Sequence, residues 1–137
     1  MEISNSNLNT FSFSLTVQVE DIDVLNHVNN LVYLKWVNEA SEQHWASLSN
    51  IQINAKYFWV CLRHEIDYLG EAFLGDTVNV KTWVGDSKGV KSIRHVQIYK
   101  DEKLLAKSVS TWCLIDANTQ KPTRIREDIL VLLSPLK

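Results

Sequence analysis

The chain has 137 residues, long enough to bury one core and too short for two. Fourteen Lys and Arg against sixteen Asp and Glu leave a formal charge of -2, which offers no bulk attraction to nucleic acid or to an anionic membrane surface. The polar start MEISNSNLNT lacks the basic-then-apolar order of a secretory leader, and no 18 apolar residues run together, so we expect one cytoplasmic domain, residues 1–137, with no membrane insertion.

Phe11 to Glu20 alternates apolar and polar residues at every step, the period of a half-buried first strand. The segment Asp21 to Asn30 is rich in Asp and Asn, which favour turns and helix N-caps, and Asn29 is the candidate cap. Leu31 to about Leu48 contains no Gly or Pro and is apolar nearly all round in its first two turns, as expected of a helix surrounded by protein. Ser49 to Lys56 reads as a polar connector. Four strand-like runs follow, Tyr57–Tyr68, Thr77–Val84, Val90–Tyr99 and Leu104–Asp116, with short polar punctuation that suits a meander. Arg126 to Leu133 suits a short terminal helix ended by Pro135. The order predicts an α+β fold, a five-stranded antiparallel sheet wrapped around one long central helix, because an apolar helix needs cover on every side.

The chemistry concentrates between Asp21 and Tyr33. Asp23 and His27 stand four residues apart, immediately before Asn29, Asn30 and the long helix. With Asn29 as cap, the N–H groups of Asn30 and Leu31 are expected free at the positive helix end, suited to a developing negative charge. A polarised carbonyl and a group that attacks it or activates water are what hydrolysis of an activated acyl group needs. The plainer readings are a turn aspartate at Asp23, a loop-holding histidine at His27 and a structural Asp21.

The pattern Asp21-x-Asp23-x-x-x-His27-Val28-Asn29-Asn30-x-x-Tyr33 resembles the 4-hydroxybenzoyl-CoA-thioesterase-like branch of the hotdog superfamily. Its His-Val-Asn-Asn core also resembles the plant acyl-ACP thioesterases. Ile66-Asp67-Tyr68 with Ala72 to Asp76, and Thr111 to Asp116, are similar to the family's later landmarks, so the likeness spans roughly residues 11–125. The resemblance implies hydrolysis of an acyl-CoA or acyl-ACP thioester, with Asp23 as nucleophile or general base and the Asn30 backbone N–H polarising the carbonyl. His27 matches the plant histidine, and Glu71 falls where the plant enzymes place a catalytic glutamate, a solvated turn residue being its alternative. Leu25 replaces the plant Asn, and Asn26 stands where bacterial relatives often carry Gly, which shifts the work toward Asp23. The resemblance further implies a homo-oligomer, dimer or dimer of dimers, with active sites between subunits and no metal or organic cofactor. A hotdog dehydratase or hydratase and a non-catalytic acyl-CoA-binding module are the rivals.

The remaining candidates read as structural. Cys61 and Cys113 have no CxxC spacing and suit reduced core thiols. Cys61 and His64 are expected on opposite faces of a regular strand, which argues against a shared metal. His44 and His95 have no evident partner, and Glu39 suits a solvated helix position. Trp36 and Trp45 suit core positions, or else the lining of an acyl pocket. Lys88, Lys91 and Arg94 are expected on a solvated face, with contact to CoA phosphates as the alternative.

Overall fold

The computed structural model describes residues 9–134. Strand β1 (Phe11–Thr16) leads through a 3-10 turn at Val19–Asp21 and the loop before Asn30 into helix α1 (Asn30–Leu48). A short helix α2 (Ile51–Lys56) precedes β2 (Tyr57–Tyr68), and an eight-residue connector reaches β3 (Thr77–Lys88). Then come β4 (Lys91–Lys100), β5 (Lys103–Asp116), a two-residue β6 (Lys121–Pro122) and helix α3 (Glu127–Leu133). The α+β class stands, while five strands around one helix becomes a six-stranded antiparallel sheet with three helices.

The sheet order is β1-β3-β4-β5-β2, with β6 beside β5. Only β3, β4 and β5 form the expected meander. β2 pairs antiparallel with β5, from Tyr57 opposite Asp116 to Tyr68 opposite Ala106, so the chain must pass β5 and β4 to reach the far side of the sheet, where β3 lies between β4 and β1. The connector 69–76 makes that crossing, and its length suits the job where a hairpin turn needs only two to five residues. The Leu69 and Gly70 N–H groups donate to the Leu105 carbonyl, and the Gly75 N–H donates to Val17, with Gly75 at a φ of +85°.

α1 buries Tyr33, Trp36, Val37 and Ala40, the spacing of one helical stripe, against Val78 and Val80 of β3, Val96 and Ile98 of β4, and Leu105 and Ala106 of β5. A second cluster of Leu114, Ile125, Ile129 and Leu133 holds α3 against the sheet.

Three boundaries differ from the sequence reading. β1 stops at Thr16, because the buried Asp21 accepts the Gln18 N–H at 2.8 Å and curls the chain into the 3-10 turn. The supposed connector 49–56 contains α2, capped by Asn50, whose side chain accepts the Ile53 N–H at 2.9 Å. β3 runs on past Val84 through a bulge between Val84 and Ser87, and the turn falls at Gly89, φ +64°. Pro135 lies outside the described residues.

Candidate functional site

The loop before α1 is a closed, stitched structure. Ile22 and Val28 form an isolated antiparallel bridge. Between them the Asn26 N–H donates to the Asp23 carbonyl at 3.0 Å and the Asp23 N–H to the His27 carbonyl at 3.1 Å. Asn26 sits at a φ of +70°, a left-handed conformation that Asn tolerates better than most residues. Asn26 therefore serves where bacterial relatives often use Gly. The Val28 N–H donates to Ala72 at 2.9 Å and the Asn29 N–H to Asp21 at 3.0 Å, which ties the loop to the 69–76 crossing and to the 3-10 turn.

That frame fixes the Asp23 backbone and leaves its side chain half-buried. Its Oδ1 accepts the Leu25 N–H at 2.8 Å. No other hydrogen bond to the carboxylate exists among the described residues, and none links it to His27, Asn30 or Glu71. One carboxylate oxygen is thus oriented by its own turn and the other stays open.

At the helix start Asn29 has extended backbone, φ -64° and ψ 138°, and its side chain accepts the Leu31 N–H at 2.8 Å. Its carbonyl accepts the Val32 N–H at 2.8 Å. The Leu31 N–H, expected free, is therefore consumed by the cap. The Asn30 N–H alone has no acceptor among the described residues, and it lies at the first position of a 19-residue helix, where the macrodipole is positive.

His27 and Glu71 do come together. His27 Nε2 lies 3.7 Å from Glu71 Oε2, with the histidine side chain 23 % exposed and the glutamate 59 %. The Phe73 ring stands edge-on to the imidazole at 6.4 Å between centroids. Asp76 braces this wall: the Phe73 N–H on its Oδ2 at 2.8 Å, with Lys100 Nζ at 3.1 Å, holds its carboxyl below the usual range. Tyr33, buried under the crossing, donates its hydroxyl to the Gly70 carbonyl at 3.3 Å, and burial pushes its pKa up to about 12, so the phenol stays protonated.

The opposite-face expectation for Cys61 and His64 is corrected. A register shift between Cys61 and Arg63 inserts an extra residue, and the Cys61 Sγ comes within 3.4 Å of His64 Nε2 on one face. His64 Nδ1 lies 2.6 Å from Ser110 Oγ. Burial raises the Cys61 thiol and lowers the His64 imidazole, and both shifts disfavour the thiolate–imidazolium pair that a cysteine nucleophile requires. Among the described residues no group of three or more His, Cys, Asp and Glu side chains is placed to hold a metal ion.

Sequence reasoning also misplaced Arg94. It is 6 % exposed rather than solvated, and its Nη1 donates to His44 Nδ1 at 2.9 Å and to Thr82 Oγ1 at 3.0 Å. His44, 1 % exposed, has its pKa lowered to about 4 by burial and by that guanidinium. Lys88 and Lys91 are exposed on the β3–β4 hairpin, and His95 stacks on Trp83. Trp36 is core, whereas Trp45 lines a cavity.

The sequence profile described as the thioesterase-like superfamily matches residues 17–133. Acyl-CoA thioesterase YbgC of Haemophilus influenzae is 25% identical over 133 residues, covering 94% of this chain and 98% of the relative. Slr0204, a 1,4-dihydroxy-2-naphthoyl-CoA thioesterase from Synechocystis, superposes with a TM-score of 0.79 at 20% identity over 91% of this chain and 96% of its own. The hypothetical Staphylococcus aureus protein SAV2348, solved in complex with CoA, gives 0.83 at 20% identity over 94% and 84%. Among the described residues no helix is long and apolar enough to cross a membrane.

Proposed function

The chain belongs to the thioesterase-like superfamily, and from that premise we propose that it is a thioesterase that hydrolyses acyl-CoA or acyl-carrier-protein thioesters to free acid and thiol. The observation that carries this reading is the unpaired Asn30 N–H at the start of α1, next to a loop that holds Asp23 with one carboxylate oxygen open.

The thioester carbonyl accepts the Asn30 N–H, and the helix end stabilises the oxyanion as the tetrahedral intermediate forms. Asp23 attacks the carbonyl carbon or takes a proton from the attacking water. His27 orients the site and Glu71, 3.7 Å from it, assists in placing water. The reaction requires no metal or organic cofactor. A homodimer, alone or paired into a tetramer, completes the cleft between subunits. β2 supports this: it is the longer of the sheet's two edge strands, twelve residues, with Phe58, Val60 and Leu62 exposed.

A panel of acyl-CoAs followed by free-thiol release tests the activity. Release of thiol with at least one acyl group is expected. Hydration of crotonyl-CoA without thiol release, or binding of the panel with no turnover, would contradict it.

A further inference from the structure

Away from the loop, a cavity of about 280 Å³ opens between the C-terminal half of α1, β2, β4 and β5. Trp45, Tyr57, Trp59 and Trp112 supply its apolar wall and Arg94 its polar one. None of Asp23, His27, Asn30 or Glu71 lines it. Ser41, which does, is eleven residues beyond Asn30 on α1, roughly 16 Å along a helix rising 1.5 Å per residue.

Among the described residues no carboxylate pairs with Arg94. The three ion pairs among the described residues join His27 to Glu71, Arg63 to Glu65 and Lys100 to Asp76. Arg94 is thus a guanidinium 6 % exposed that faces only neutral partners, His44 and Thr82, through Nη1. His44 is neutral because it accepts from Arg94 at Nδ1, so it adds no charge of either sign. The indole N–H of Trp112, on the same cavity, is buried with no acceptor among the described residues. Glu42 also lines the cavity, but it is an exposed residue and forms no ion pair with Arg94. A buried cation without a counter-charge is costly, and an anion bound beside it offsets that cost.

We propose that this cavity is a binding site for a flat, apolar group that ends in a carboxylate, the anion being read by Arg94 and the indole N–H of Trp112. The aromatic walls take the ring, and the remaining N–H groups of the guanidinium fork match a carboxylate's two oxygens. The size suits one or two rings. Such a carboxylate comes either as a free acid or as the far end of an acyl group on a thioester, and the arms below separate the two.

Tryptophan fluorescence titration of the intact protein with 1-naphthoate and with 1-naphthamide tests the claim in the wild type. Naphthoate is expected to bind roughly tenfold or more tighter, the worth of a charge-assisted hydrogen bond. Arg94→Gln is expected to erase that preference, and Glu42→Gln, which removes the exposed carboxylate of the lining, to tighten naphthoate. Displacement of naphthoate by an acyl-CoA with a terminal carboxylate, but not by its methyl-ended counterpart, identifies the acyl end. Displacement by neither identifies a free-acid site. Equal affinity for acid and amide, or no binding of either at millimolar concentration, overturns the proposal. Because the readout is binding, a failure here leaves the hydrolysis reading standing, and loss of hydrolysis leaves this one.

Discussion

His44 and Asp21 illustrate how single polar residues are made tolerable indoors. Each is buried, and each has one strong partner, Arg94 for the imidazole Nδ1 and the Gln18 N–H for the carboxylate, while the His44 Nε2–H is left without an acceptor among the described residues. For His44 this has a consequence for acid stability. Its pKa in the fold, about 4, lies below the ordinary 6.5, so between these values the unfolded chain binds the proton and the folded chain does not. Its contribution is therefore whole above pH 6.5 and is lost as the pH falls toward 4, amounting to something on the order of 3 kcal/mol. Urea unfolding of wild type and His44→Asn at pH 7.5 and pH 4.5 checks this: the wild type should lose more stability between the two, and equal losses would contradict it. The helical spacing announced burial at position 44, which continues the stripe of Tyr33, Trp36, Val37 and Ala40, but not the partner that meets it there. Arg94 did leave a signal, since Ser92, Arg94, Val96 and Ile98 share one parity along β4 and the last two are core. A prior that charged residues face water overrode the alternation.

At the scale of elements, the start of α1 was legible because capping chemistry is local. Asn29 was read as the cap and is one, its side chain on the Leu31 N–H. Asn29→Ala should lower stability by about 1 kcal/mol, measured by urea unfolding, while Asn29→Asp should retain most of it. No change on Asn29→Ala would mean that the cap contributes nothing. The long strands were legible for the same reason, their period of two being written in neighbouring residues. The bulge in β2 was not. It has no Gly to mark it, and it is defined only by the register with β5, whose residues 106–116 lie some forty or more positions away in sequence. The whole Cys61 and His64 pairing followed from that unseen extra residue. Pairing order failed on the same ground: adjacency of β2 and β5 is set by how the crossing passes the end of α1, and hydropathy along one strand does not encode its partner.

For the whole molecule, the sheet has two unequal edges. β1 is six residues long, and β2 is twelve with exposed apolar side chains. A long open edge is a pairing surface, and the homo-oligomer proposed above would bury it symmetrically. We expect light scattering to give at least a dimer at micromolar concentration, and Val60→Lys with Leu62→Lys to yield monomer. Thiol release should fall with that dissociation, and a fully active monomer would contradict the between-subunit cleft. The resemblance in residues 11–125 identified the fold class and the thioesterase family, but it carried no information on the Arg94 cavity, which exists only once α1 lies across the sheet.

The account turns on the Asp23 carboxylate acting beside the start of α1. The direct measurement is kcat for thiol release by Asp23→Asn, on the best acyl-CoA and with folding verified by its unfolding midpoint. We predict a fall of roughly 10² or more in kcat with the midpoint nearly unchanged, as general-base or nucleophilic catalysis implies. An Asp23→Asn protein that turns over at the wild-type rate would contradict it.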